Sequence, residues 1–395
     1  MTLNNKWIRA AIPALLIHCS IGTVYCWSTF KDTIADTIQA SPFAVGWAFS
    51  LAIFFLGMSA AFFSKKIEQD IHKSALIACI CFCVGLIGTS LSIQFLKGIP
   101  ALIGLYVSYG CIMGIGLGVG YLTPVKTLML WFKNNKGLAT GISIMGFGLA
   151  KVMATPLMEY LQRTVGISKM FLVLACTYFI MMFIGFLLLK KPEGWIEKTD
   201  KESNFNFKDF IKNPLFIAIW FIFFINIHCG LMLITYEKQI LFTFGLSLSI
   251  ASIIPSFTAA WNAFGRLGYA TASDKLKSKF TIYQILYISS IVGCVCAILL
   301  NKQFIFIIVI TLFIVNAGYG GGFSTLPNLL QDKFGMENIS KIHGVTLTAW
   351  AIAGLTGNNT TSLILKYTNN YIIVFLVATI LYGIALCVSC YYKNK

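Results

Sequence analysis

The chain has 395 residues, of which 57% are hydrophobic and only 11% charged, against roughly 25% charged in soluble domains. That balance excludes a water-soluble globular protein and makes lipid the main solvent, while the net charge of +16 still has to be explained. No spacing of nucleophile, base or metal ligands stands out, so neither enzymatic chemistry nor a cofactor is expected.

A helix needs about 20 apolar residues to cross a hydrocarbon core of ~30 Å. Runs of that kind predict twelve spans, at 7–30, 43–64, 74–95, 101–131, 137–159, 169–189, 214–236, 247–272, 280–300, 304–330, 342–366 and 371–392. The first run is too long for a cleavable leader and continues into Tyr25 and Trp27 without a small-residue cleavage pattern, so it is expected to stay as a helix. The twelve cysteines, including Cys79, Cys81 and Cys83, fall almost wholly inside apolar runs and read as small buried hydrophobes, not metal ligands.

Charge sets the orientation. With both termini cytoplasmic, 20 of the 30 Lys and Arg residues fall on cytoplasmic segments and 7 on outer loops, while Lys126, Lys151 and Arg266 lie within spans. This is the positive-inside pattern of a protein of the cell's inner or plasma membrane, helped by attraction to anionic headgroups, and it removes the need for a nucleic-acid partner.

The longest polar stretch lies at mid-chain and divides it into an N-terminal six-helix bundle at 1–189, a cytoplasmic linker at 190–213 and a C-terminal six-helix bundle at 214–395. The halves share features. Gly116-x-Gly118-x-Gly120-Tyr121 reappears as Gly318-x-Gly320-x-Gly322-Phe323, each followed by a proline, Pro124 or Pro327; Ile17-His18-Cys19 is echoed by Ile227-His228-Cys229. Glycine at that density lets helices approach closely, as ordinary packing and as the rocking of one bundle on another both require. The expected fold class is therefore all-α: an integral membrane protein of twelve helices in two pseudo-symmetric bundles.

Ionisable groups inside a bilayer cost ~2.5 to 3.5 kcal/mol each on insertion scales, so those retained are functional candidates. Of fourteen Asp and Glu residues only Glu159 falls in a predicted span. The interior is thus expected to be cationic, and the simplest partner for its cations is an anionic substrate. Arg266 lies roughly 10 Å inside its helix and Lys151 roughly 21 Å, by the rise per residue. Lys126 is close enough to a helix end to snorkel instead. A guanidinium grips a carboxylate with two parallel bonds and stays charged in apolar surroundings, which favours Arg266. Tyr25, Trp27, Tyr121, Tyr319 and Trp350 are aromatics well inside spans and beside glycines, able to wall an anion or simply to pack. His18 is a candidate hydrogen-bond donor or proton carrier, and His228 reads as a core histidine.

Several stretches carry a resemblance. Gly265-Arg266-x-Gly268 followed by Ser273-Asp274-Lys275 resembles the cytoplasmic-loop signature of the major facilitator superfamily, which implies a gating latch at Asp274 with Lys275 beside it. Gly120-Tyr121-Leu122-Thr123-Pro124, Lys136-Gly137-Leu138-Ala139-Thr140-Gly141, Met145-Gly146-Phe147-Gly148, Tyr25-Cys26-Trp27-Ser28, Trp261-Asn262-x-x-Gly265-Arg266 and Thr348-Ala349-Trp350 resemble the oxalate/formate antiporter family and its monocarboxylate-carrier relatives. The resemblance implies secondary transport of a small organic anion, with Arg266 on the substrate carboxylate, Asn262 beside it, and Tyr25 and Tyr121 in the site. The sequence departs from it at one point. The oxalate exchanger of that family is expected to use a second cation in the eleventh helix, where only Thr, Ala, Trp and Gly surround Trp350. One strong cation suits pyruvate, lactate or formate, whereas Lys151 would supply a second charge for a dicarboxylate.

The expected mechanism is alternating access, with Arg266 and Lys151 on carboxylate oxygens and Tyr25, Tyr121 and Trp350 around the carbon skeleton. Exchange fits such a cage, because empty it carries uncompensated charge; proton symport competes and would draw on His18, His228 or a lysine. The other readings are a transporter of a neutral or cationic solute, such as a sugar or drug, and a non-transporting membrane sensor. A monomer is expected.

Overall fold

The structure is a computed structural model that describes residues 5–194, 210–300 and 305–393. Most of the linker expected at 190–213 lies outside the described residues. The described residues form helices throughout: α1 (Trp7–Cys26), α2 (Trp27–Ile38), α3 (Pro42–Gln69), α4 (Ile71–Phe95), α5 (Gly98–Trp131), α6 (Lys136–Val165) and α7 (Ile167–Leu188). After the linker come α8 (Pro214–Ile234), α9 (Glu237–Thr243), α10 (Leu248–Asp274), α11 (Phe280–Leu300), α12 (Ile305–Phe334), α13 (Ile339–Thr346), α14 (Thr348–Thr368) and α15 (Tyr371–Lys393).

Among the described residues, ten helices are long and apolar enough to cross a membrane, and α10 and α14 are excepted by their polar residues alone. Each of the twelve predicted runs coincides with a helix, ten of them qualifying as spans, with three adjustments. The first run continues past residue 30 into α2, which carries Asp32 and Asp36. The run at 214–236 ends at Ile234 and is followed by the short α9. The run at 342–366 starts earlier and breaks at Leu347 into α13 and α14.

Local chemistry explains the boundaries. Ser41 and Asn213 each precede a proline at the first helical position, and their side-chain oxygens accept from the exposed amides of α3 and α8. Asp70 does the same for α4 through Lys73 N at 2.9 Å. Gly166, between α6 and α7, and Gly335, after α12, have φ of 83° and 77°, a region that a side chain would strain. The membrane face is apolar in the pattern expected of a lipid solvent: on α10, Ile250, Ile253, Phe257, Trp261 and Phe264 are exposed, while Thr258, Asn262, Arg266 and Ser273 are buried.

The chain divides into two compact units. Unit 1 comprises Met1–Asn134, Gly146–Glu197 and Ile339–Ala351; unit 2 comprises Asn135–Met145, Lys198–Asn338 and Ile352–Lys395. Each includes a short stretch drawn from the other side of the linker: α13 packs on α3 in unit 1, and the first turns of α6 belong to unit 2.

The repeated glycines are packing devices in both units. In unit 1, a Cβ on Gly116 would meet Phe82 and Ala78 of α4, and one on Gly118 would strike the Leu56 carbonyl and the Ser59 hydroxyl of α3. In unit 2, Gly320 lies against Asn262 and Gly322 against Asn226. Buried hydroxyls tie neighbouring helices: Tyr283 Oη donates to Gly322 O at 2.7 Å and Tyr287 Oη to Ile222 O at 2.6 Å. Overpacking such a contact costs about 1–3 kcal/mol. Gly118→Ala is therefore expected to lower the melting temperature of the purified protein followed by tryptophan fluorescence, whereas Gly383→Ala, where nothing lies within 4 Å, leaves it unchanged.

Candidate functional site

In unit 1 the sequence candidates converge on one aromatic ring that was not singled out from the sequence, Phe147 of α6. The rings of Tyr25, Tyr121, Trp350 and His18 lie 5.5, 5.7, 5.9 and 6.3 Å from it, all near perpendicular except the Trp350 ring at 69°. Tyr121 in turn packs its ring 5.4 Å from that of Trp350 and stacks on His18 at 5.3 Å. Gly22 makes this possible, since a Cβ there would collide with the Phe147 backbone and hold α1 away from α6. His18 Nε2 donates to Tyr121 O at 3.0 Å, which places the proton on Nε2. His343 of α13 joins the group with its ring 6.1 Å from Tyr121, buried to 1% exposure, and its Nε2 has no hydrogen-bond partner among the described residues. It sits seven residues before Trp350, two helical turns, and that spacing was the signal available in the sequence.

The other unit 1 candidates lie elsewhere. Trp27 is buried against Tyr109 at 4.4 Å and Phe30 at 5.3 Å, a packing contact outside the Phe147 group. Lys126 is buried at 3% exposure on α5, next to Thr127, so it does not snorkel to an interface. Lys151 of α6 is only half-buried, and its main-chain carbonyl lies 3.9 Å from Cys26 Sγ.

In unit 2 the centre is Arg266, which is 0% exposed. Its Nε donates to Asn262 Oδ1 at 2.9 Å, one helical turn earlier on α10, and its Nη1 reaches Ile144 O at 3.5 Å. The guanidinium carbon stands 5.2 Å from the centre of the Phe323 ring, a cation–π contact. Phe323 is held in turn by Tyr319 at 5.2 Å and Phe223 at 5.1 Å. Gly320 is required here, because a Cβ would meet the Arg266 side chain as well as Asn262. Tyr319 thus supports the ring beneath the guanidinium. His228 is fastened by Thr356 at 2.9 Å and Thr360 at 3.4 Å, the arrangement of a core histidine.

At the end of α10, Asp274 accepts from Gly137 N at 2.8 Å and Leu138 N at 3.0 Å, so its carboxylate sits on the first amides of α6. A helix N-terminus carries partial positive charge, and a carboxylate bound to two of its amides is favoured. Gly137 is obligatory, since a Cβ would collide with Ala270 O. Lys275, the expected neighbour in the latch, is exposed.

The acid census made from the sequence needs correction. Glu159 is exposed, whereas Glu237, in none of the predicted spans, is buried at 3% exposure and hydrogen-bonded to Thr258 and Asn316. Its backbone lies just beyond an apolar run, and no linear pattern shows that α9 packs against α10 and α12.

The family model described as Major Facilitator Superfamily matches residues 14–358. The chain belongs to this superfamily. It is 24% identical over 369 residues to the oxalate:formate antiporter of Oxalobacter formigenes, covering 90% of this chain and 84% of the antiporter. It is 24% identical over 363 residues to the MFS-type transporter YhjX of Escherichia coli strain K12, covering 89% and 86%. Among solved structures it resembles the proton:xylose symporter XylE with a TM-score of 0.78 at 11% identity, over 97% of this chain and 95% of that one. The fold is that of a major facilitator, and the chain is a multi-pass membrane transporter, not an enzyme.

Removing the carboxylate from the α6 terminus should cost about 0.5–2 kcal/mol, in the range of a lost helix cap. Asp274→Ala is accordingly expected to speed hydrogen exchange at Gly137 and Leu138, read by mass spectrometry of the peptide covering 136–145; unchanged protection there would show that the two bonds carry no weight.

Proposed function

We propose that this chain is a secondary transporter of small carboxylate anions of the pyruvate, lactate, formate or oxalate class, working by alternating access as an anion exchanger or proton-coupled symporter. The observation that carries the reading is the fully buried guanidinium of Arg266 inside an apolar bundle, aimed by Asn262 and seated on the Phe323 ring. A permanent cation at such depth marks a ligand path, and its planar fork matches a carboxylate. The resemblance to an oxalate:formate antiporter along most of both chains supports the same substrate class.

The neighbours of Arg266 suit this task. Fixing Nε through Asn262 leaves the guanidinium little rotational freedom, so less entropy is lost when an anion arrives. An amide does this without neutralising the charge. In unit 1, the Phe147 group supplies apolar ring faces with the polar edges of Tyr25, His18 and His343, a composition that favours a small molecule with both carbon skeleton and oxygens. Lys151, half-buried, is the second cation that a dicarboxylate would require. The Lys and Arg distribution supports placement in the inner or plasma membrane with both termini cytoplasmic, and a monomer suffices for the function.

Loss of a buried charge partner costs about 2–5 kcal/mol. Uptake of labelled pyruvate, lactate, formate and oxalate into proteoliposomes, with internal counter-anion or an imposed pH gradient, is expected for at least one of the four. Arg266→Gln should then reduce it about 100-fold. Near-normal uptake by this variant would remove Arg266 from substrate binding.

A further inference from the structure

We propose that Glu237, together with Thr258 and Asn316, is a proton-binding site that links carboxylate transport to the proton gradient. This rests on the reading of Arg266 as the anion site. Glu237 opens α9, but its side chain is buried at 3% exposure against α10 and α12. Thr258 stands ten residues into α10 and Asn316 eleven into α12. The carboxyl is thus enclosed by helices although its backbone lies just past the end of α8. A carboxylate buried this fully is costly, and such groups in membrane proteins mark proton or ion paths.

The hydrogen-bond pattern admits both protonation states without moving a heavy atom. With Glu237 ionised, Thr258 Oγ1 donates to Oε2 at 2.8 Å and Asn316 Nδ2 donates to Oε1. Thr258 Oγ1 also lies 3.1 Å from Pro255 O. A hydroxyl has one proton and two acceptor lone pairs. When Oε2 takes up a proton from water it donates to Thr258 Oγ1, whose own proton turns to Pro255 O. Asn316 Nδ2 keeps its bond to Oε1 and its contact with Leu312 O at 2.9 Å. The proton is thus stored by reversing one hydroxyl, and the Thr258 and Asn316 bonds are kept in both states.

The electrostatic link to the substrate runs along α10. Arg266 follows Thr258 by eight residues, about 12 Å of helix rise. The ionisable side chains on the elements packed against α9 are Arg266, Tyr269 and Asp274 on α10, and Tyr319, Asp332 and Lys333 on α12; α9 itself adds Lys238, and Tyr236 precedes it. Arg266 is the one cation among those of α10, and two unit charges that far apart still interact through the protein, though weakly. An anion bound at Arg266 cancels that influence, so Glu237 takes up a proton as the substrate binds. By linkage, a proton on Glu237 strengthens anion binding. Symport in this scheme requires no protein carboxylate paired directly with the guanidinium.

The test uses the full-length purified protein. Infrared difference spectra between neutral and acidic buffer should contain a protonated-carboxyl band that vanishes in Glu237→Gln, shifts in Thr258→Val and persists in Glu159→Gln. In proteoliposomes, the apparent affinity of wild type for the transported carboxylate should rise on acidification through the titration range, by roughly tenfold in total for unit charges about 12 Å apart. In Glu237→Gln that dependence should vanish, while Glu159→Gln keeps it. A band that is identical in wild type and Glu237→Gln, or a variant that retains the wild-type pH dependence, would reduce Glu237 to a structural clamp and overturn the proposal. If Glu237→Gln does not fold, the Thr258→Val spectrum decides: an unshifted band overturns it. If wild type moves none of the four carboxylates, the substrate reading fails, and the infrared band still judges the proton site by itself.

Discussion

A guanidinium stays charged in an apolar interior, so a protein that keeps one there must supply it with partners and hold the surrounding helices to them. Arg266 imposes that requirement on unit 2. Asn262 sits one turn before it, Phe323 lies beneath it, and Gly320 is bare because a side chain would occupy the same space. Gly320 and Asn262 are consequences of accommodating this one side chain, while Gly321 and Gly322 make room for Tyr269 and Asn226. The outer face of α10 is free of the constraint and is apolar, with Ile253, Phe257 and Trp261 exposed.

Unit 1 is organised on different physics. Its centre is a set of rings around Phe147, held by close backbone approach at Gly22 and by edge-to-face contacts. Such contacts are individually worth about 0.5–1.5 kcal/mol beyond area burial. They favour a defined arrangement without requiring a charge at its centre. The histidines at the edge of the group, His18 and His343, add hydrogen-bonding capacity, and their ring nitrogens are distinct: one donates to the Tyr121 carbonyl, and His343 Nε2 is buried without a described partner. Unit 2 thus holds a fixed cation, and unit 1 a set of ring faces with polar edges.

Much of this was legible in the sequence because the bilayer forces simple patterns. Span length, the bias of Lys and Arg and the duplicated glycine run follow from solvent thickness, surface charge and helix contact, and each is a property of consecutive residues. Arg266 and Asp274 were legible for the same reason, being a charge inside a span and a charge at its end. Phe147 and Glu237 were not. Phe147 is one phenylalanine among 33, and its place among Tyr25, Tyr121 and Trp350 depends on tertiary packing. Glu237 follows an apolar run by two residues and reads as a loop charge until α9 is seen to carry it against Thr258 and Asn316. For Trp27 the sequence left a ligand wall and packing both open, and its ring packs beside Tyr109.

If Arg266 holds the substrate as proposed, the transporter must distinguish a carboxylate by its charge. Calorimetric titration of the purified protein with lactate and with lactamide, its neutral amide, isolates that charge from size and shape. Binding of lactate with at least about tenfold preference over the amide, a difference of roughly 1.4 kcal/mol, is the predicted result. Equal binding of the two, or binding of the amide alone, would contradict it and point to a neutral solute.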